Sequence, residues 1–167
     1  MDGYKHILVP LDGSVPAREG LVEAIRLALC HGSQIRLVHV LNHAPLASPD
    51  ITGSRFDRLY GELRQEGLAL LASAEATVRS AGVAVEARLI EAAGTSAGEC
   101  IVEQALEWPA DLIVCGTHGR RGLHRLVMGS DAERILRHSC VPVLLVPVRT
   151  GAHAMRPTGP ASTSPEQ

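Results

Sequence analysis

Gly116, Gly119, Gly129 and Ser130 lie in the stretch GTHGRRGLHRLVMGS, residues 116–130, a glycine-punctuated loop between the apolar run DLIVC and a helical pattern. Glycine adopts positive φ and lets a ligand come close to the backbone. Successive N–H groups in such a turn form a concavity suited to anions. Gly129-Ser130 opens the next helix, whose first N–H groups and positive dipole end favour negative charge. Phosphate is the guest that this chemistry suits, and Arg120 and Arg121 could add charge-assisted hydrogen bonds. Asp12, in the turn PLDGS after the first apolar run, is placed to accept from ribose hydroxyls, as acidic residues do in other dinucleotide sites.

Each residue has a plainer reading. Gly116 and Gly119 could merely turn the chain. Ser130 followed by Glu133 fits a capping box, which would explain both residues without a ligand. Asp12 before Gly13 could be turn chemistry or the cap of the first helix. His118 and His124 could be surface histidines, and with no third ligand at a defined spacing no metal site is assigned. His39 reads as a packed core residue rather than a catalytic base.

The elements that would position these residues alternate. HILVPL (6–11) reads as a strand, and the apolar positions Leu21, Ala24, Ile25 and Ala28 mark a helix from Ala17 to about Gly32. QIRLVHV (34–40) is a second strand, followed by a loop over 42–54. Phe56 to about Ala81 forms a long amphipathic helix stopped by Gly82. VAVEARLIE is a third strand, and Ser96 and Glu99 form a capping box that opens a helix ended by Pro109. DLIVC is the apolar run of a central parallel strand. A helix around Ala132–Arg137 and the fifth strand VPVLLV follow. The stretch 149–167 has too little to bury and is expected to be a disordered tail behind one domain of 1–148. Strict strand–helix alternation predicts a parallel α/β sheet with helices on both faces. Ligands in such sheets sit beyond the carboxyl ends of the strands, where strand order reverses. The turns PLDGS and GTHGRRG then face one crevice if their strands are neighbours.

Composition narrows the function classes. The chain has 167 residues, 46% of them hydrophobic and 20% charged, which suits one globular domain. No apolar run approaches a membrane span, and no signal-peptide pattern opens the chain, so a cytoplasmic protein without membrane attachment is expected. The net charge of −2 and an aromatic content of 2% give no support to nucleic-acid binding. Cys30, Cys100, Cys115 and Cys140 lack paired spacing and read as small buried hydrophobes.

The spacing G-x2-G-x9-G-[ST], met by Gly116, Gly119, Gly129 and Ser130, together with PLDGS and the LVHV of the second strand, resembles the nucleotide-binding universal stress proteins from about residue 4 to 148. The resemblance implies a Rossmann-like five-stranded parallel sheet of order 3-2-1-4-5. It also implies a homodimer, with ATP between the first and fourth strands and Mg or Mn as a companion ion. The implied ligand set is Pro10, Asp12, Val40, Gly116, His118, Gly119, Arg120, Gly129 and Ser130. In it Asp12 binds ribose, the backbone at Val40 reads the adenine edge, and the turn at Gly116 to Arg120 with Gly129-Ser130 holds the phosphates.

Where many members carry a further hydroxyl, this chain has Asp131-Ala132, so one phosphate contact is missing. Asp131 suits the helix dipole but repels phosphate unless a metal ion or the arginines screen it. The implied strand order puts VPVLLVPV at a sheet edge with Leu144 and Leu145 exposed. Pairing with a second copy would relieve that edge.

No G-x4-G-K-[ST] or S-G-G-x-D-S loop occurs, and no catalytic constellation is recognisable from spacing. The reading is an ATP-binding regulatory or stress-resistance protein that acts through nucleotide occupancy. The alternatives are a slow ATP hydrolase using the same crevice and a dimeric interaction module without ligand. The intact glycines argue against the last.

Overall fold

Ile7, Leu8 and Val9 of the first apolar run are wholly buried and form the middle of β1 (His6–Pro10). The structure is a computed structural model that describes residues 3–42, 53–92, 94–117 and 128–148. The expected tail at 149–167 and the turn residues His118, Gly119 and Arg120 lie outside the described residues, as do Arg121 and His124.

After β1, Ser14 caps α1 (Val15–His31) by accepting from the Ala17 N–H at 3.2 Å, with Pro16 in the first turn. Gly32 ends the helix in the left-handed conformation at φ 65°. The remaining elements are β2 (Gln34–Asn42), α2 (Ser54–Ser80), β3 (Val85–Ala92), α3 (Ala97–Glu107), β4 (Leu112–Gly116), α4 (Ser130–His138) and β5 (Val143–Val146). The expected elements all form. β2 runs two residues past the expected end, and α4 begins at Ser130 rather than Ala132.

The five strands are parallel in the order β3-β2-β1-β4-β5, as the resemblance implied. Strand order therefore reverses between β1 and β4. Alternation of side chains across the sheet splits the core in two. Ile7, Val9, Ile35, Leu37 and Val114 pack beneath α1 and α2, with Leu21, Ala24, Leu71 and Val78 above them. Leu8, Val38, Ile113 and Cys115 pack on the other face against Ile101, Ala105 and Ile135 of α3 and α4.

The amino ends of the strands are tied by side chains. The Asp111 carboxylate accepts from the N–H groups of Lys5 at 2.7 Å and His6 at 3.1 Å. Arg36, only 8% exposed, donates to Glu86 at 2.9 and 3.1 Å, and its guanidinium lies 4.7 Å from the centre of the Trp108 ring. Ser33 donates its hydroxyl to the Tyr4 carbonyl at 2.7 Å.

Two expectations are corrected. Leu144 and Leu145 at the edge are half-buried rather than exposed, because Leu144 leans on the core beneath α1 and Leu145 on the opposite one. Of the four cysteines, Cys100 and Cys115 are buried, but Cys30 and Cys140 are exposed. Cys30 sits off the buried stripe of α1, and Cys140 lies in the turn before β5. Burial pushes the Cys115 thiol up to about 12 and raises that of Cys100 as well. With an aromatic disulfide reagent at pH 8, Cys30 and Cys140 should therefore react promptly in the native protein, and Cys100 and Cys115 only on unfolding. Absorbance stopped-flow with and without denaturant distinguishes the two classes.

Candidate functional site

Three helix N-termini, those of α1, α3 and α4, follow the carboxyl ends of β1, β3 and β4. Beyond the ends of β1 and β4, against the starts of α3 and α4, lies a cleft of about 720 Å³. Pro10 and Asp12 come from the end of β1, Val40 and Asn42 from β2, Gly67 from α2, Ser96 from the start of α3, Gly116 from β4, and Gly129, Ser130 and Arg134 from α4 and its approach. The cleft is large enough for a nucleotide by the usual size of small-molecule sites. The expected residues Pro10, Asp12, Val40, Gly116, Gly129 and Ser130 all line it.

Asp12 makes a turn of its own. Its Oδ1 accepts from the Ser14 N–H at 2.9 Å, and Gly13 between them adopts φ 82°. Of the two plain readings, turn chemistry is the one that applies, because Ser14 and not Asp12 caps α1. The turn holds the carboxylate at the mouth of the cleft.

Val40 lies past the point where β1 stops. The last β1–β2 pair is Pro10 with Val38, and the Leu11 N–H donates to the Val38 carbonyl at 2.8 Å. In a parallel ladder the backbone groups of alternate residues point the same way, so Val40 turns its N–H and C=O toward the side where β1 has ended.

Gly116 is a steric requirement. A Cβ built there would lie 2.5 Å from the Pro16 carbonyl carbon, and one at Gly20 would lie 3.3 Å from the Gly116 nitrogen. Its backbone is not in the positive-φ region. Glycine is needed because the first turn of α1 rests directly on the end of β4, which places both turns on one crevice.

At α4 the expected capping box does not form. Gly129 is the N-cap at φ −63° and ψ 148°, and no side chain among the described residues caps the helix. The Gly129 N–H is taken by the Thr117 carbonyl at 3.0 Å, which fixes the approach of the chain. Ser130 is thus the first residue within the helix, and Glu133 pairs with Arg137 at 2.8 Å. Gly129, Ser130, Asp131 and Ala132, at the start of α4, line the cleft.

At α3 the opposite holds. Ser96 and Glu99 form the full capping box, and the Asp131 Oδ1 accepts from the Gly98 N–H at 3.3 Å. The Ser96 hydrogen bonds, with Arg134 as a smaller contributor, hold the Glu99 carboxyl below the usual glutamate range. Arg134 reaches Glu99 at 2.9 Å. Gly98 permits this contact, since a Cβ there would lie 2.9 Å from the Cβ of Arg134. Asp131, expected to repel a phosphate, instead directs an oxygen to the start of α3. Sequence reasoning missed Ser96 and Arg134 as cleft residues. The capping motif at Ser96 was visible, but its position beside α4 depends on the packing of the two helices.

The chain matches the model of the Universal stress protein family over residues 3–147. It belongs to that family. It is 34% identical over 143 residues to Universal stress protein MJ0531 of Methanocaldococcus jannaschii, covering 86% of this chain and 82% of that one. Among solved structures it is similar to a universal stress protein family member from Burkholderia pseudomallei, at TM-score 0.69 and 34% identity, covering 86% of this chain and 96% of the other. A universal stress protein from Archaeoglobus fulgidus in complex with dAMP matches at TM-score 0.62 and 24% identity, covering 87% and 99% of the two chains. Another, in complex with cAMP, matches at 0.61 and 23%, covering 86% and 97%. These last two share the universal stress protein fold with this chain.

The backbone contact at Gly116 leaves no slack. Gly116→Ala should push α1 away from β4 and destabilise the fold by about 1–3 kcal/mol, the usual cost of overpacking. Urea denaturation followed by circular dichroism measures it.

Proposed function

We propose that this universal stress protein binds an adenine nucleotide, ATP in the first place, in the cleft between the ends of β1 and β4, and acts through occupancy rather than turnover. The observation that carries this reading is the start of α4, which opens on the cleft with no side-chain cap among the described residues. Helix N–H groups left without an internal partner favour an anion. The carboxylates nearby are engaged elsewhere: Glu99 and Asp131 accept from N–H groups at the start of α3, and Glu133, also in the first turn of α4, pairs with Arg137. A phosphate is therefore drawn to Gly129-Ser130, with His118, Gly119 and Arg120 as the further phosphate contacts of this reading. Asp12 would take the ribose and the Val40 backbone the adenine edge. The complexes of two structural neighbours with dAMP and cAMP support an adenine ligand.

Among the described residues no cluster of three His, Cys, Asp or Glu is able to hold a metal ion. In this reading Mg or Mn enters with the nucleotide, on its phosphate oxygens. A regulatory or stress-resistance role follows if occupancy changes the surface offered to partners in the cytoplasm. The slow-hydrolase reading shares the same cleft. A ligand-free interaction module is disfavoured by the intact Gly116, Gly119 and Gly129 of the motif.

β5 ends the sheet at one side, bracketed by Pro142 and Pro147, and its four residues are half-buried. Pairing with a second copy across a two-fold axis would cover the unpaired edge over a short length, with the prolines limiting extension.

Titration calorimetry with ATP tests the binding site. Asp12→Ala should weaken binding about tenfold, the order of one charged hydrogen bond lost, and Gly119→Val should abolish it. Unchanged affinity in both variants would sink the assignment. Light scattering at micromolar concentration should give the mass of a dimer, and a monomer would refute the edge pairing. Single-turnover assays with and without Mg should show hydrolysis far below the ~10 per second of a median enzyme. A rate near that median that disappears in Arg120→Ala would replace the occupancy reading with an enzymatic one.

A further inference from the structure

The geometry points to His39 as a positioning residue that keeps the Val40 amide available to the ligand, an inference that rests on the reading of Val40 as the base edge. The β1–β2 ladder runs as far as the Leu11 N–H, which donates to Val38. In parallel geometry the next rung would bring the Val40 N–H to the Leu11 carbonyl. That rung does not form. The Leu11 carbonyl oxygen lies instead 2.7 Å from His39 Nδ1. A carbonyl only accepts, so Nδ1 carries the proton and donates it, and the tautomer is fixed. The imidazole takes the place of a backbone amide and ends the ladder one rung early.

The ring is held where it can do this. His39 is 9% exposed, on the face of β2 beneath α2. Gly67 of that helix gives it room, since a Cβ there would lie 2.7 Å from Cδ2 and 3.1 Å from Nε2 of the ring. Glycine inside a helix costs about 1 kcal/mol relative to alanine, and the seat of the imidazole accounts for its use at this position. Leu11 is itself 5% exposed, so its carbonyl needs a protein partner. If His39 loses its donor, the nearest candidate is the Val40 N–H, and the ladder closes over the base-reading edge. The same hydrogen bond also anchors the backbone just before Asp12, so one side chain serves both the base end and the ribose end of the cleft.

The test begins without ligand. In 15N NMR at pH 8, His39 should show a protonated Nδ1 and an unprotonated Nε2. The Val40 amide should exchange at least tenfold more slowly in His39→Leu than in the wild-type protein, because it gains the Leu11 carbonyl. His39→Asn places an amide donor near the position of Nδ1 and should restore fast exchange. Gly67→Ala, which displaces the ring while favouring the helix, should behave as His39→Leu does.

Calorimetry then compares AMP with ribose 5-phosphate. His39→Leu should weaken AMP about three- to tenfold, the range for one hydrogen bond, leave ribose 5-phosphate unchanged, and be rescued by His39→Asn. A proton on Nε2 alone, or equal Val40 exchange in the wild-type and His39→Leu proteins, overturns the inference. If the wild-type protein binds none of ATP, AMP and ribose 5-phosphate, the nucleotide reading fails, and the exchange experiment still decides the role of His39.

Discussion

Backbone meets backbone where the first turn of α1 rests on the end of β4, and the cleft takes its shape from that contact. Gly20 and Gly116 leave no side chain between the helix and the strand. A residue with a Cβ at Gly116 would lift the start of α1 away from the sheet. The turn that carries Asp12 would move with it, since Ser14 ties that turn to the helix cap. The spacing between the Asp12 carboxylate and the start of α4 therefore depends on two glycines, Gly20 and Gly116, packed between α1 and β4.

The electrostatics of the cleft come from an unequal treatment of two adjacent helices. α3 starts under three oxygen-bearing side chains, Ser96, Glu99 and Asp131. No side chain among the described residues caps α4, and of the two carboxylates in its first turn Asp131 accepts from Gly98 while Glu133 pairs with Arg137. A helix dipole neutralised by its own carboxylates has little left for a guest, while one left open favours an external anion. Asp131 contributes to both sides of this asymmetry. It sits in the first turn of α4, yet an oxygen of its carboxylate serves α3.

The pattern Ser-x-x-Glu occurs at Ser96 and again at Ser130, and shows how far the sequence could be read. At Ser96 it gives the capping box it predicts. At Ser130 it does not, because the Thr117 carbonyl takes the Gly129 N–H and seats Gly129 as the cap one residue early. That hydrogen bond joins the two ends of a loop and leaves no trace in local spacing. The strands and helices were legible because hydrophobic period is a local property, and the strand order followed from the resemblance. The exposed Cys30 and Cys140, the half-buried Leu144 and Leu145, and the dual place of His39 in core and cleft all depend on neighbours distant in the chain. Sequence read His39 as a packing residue; its ring is indeed packed, and its Nδ1 is spent on a backbone carbonyl.

The amino ends of the strands are fastened by Asp111 to Lys5 and His6, by Arg36 to Glu86 and Trp108, and by Ser33 to Tyr4. The fastenings and the cleft lie at opposite ends of the sheet. Register is thus guarded by residues outside the cleft lining, and the residues at the other end carry less of that duty. Apart from Gly116, which the packing of α1 on β4 requires, substitutions in the turns at the cleft end can accumulate over evolutionary time without loosening the frame. A single scaffold of this kind can pass from one small-molecule preference to another by drift at its rim.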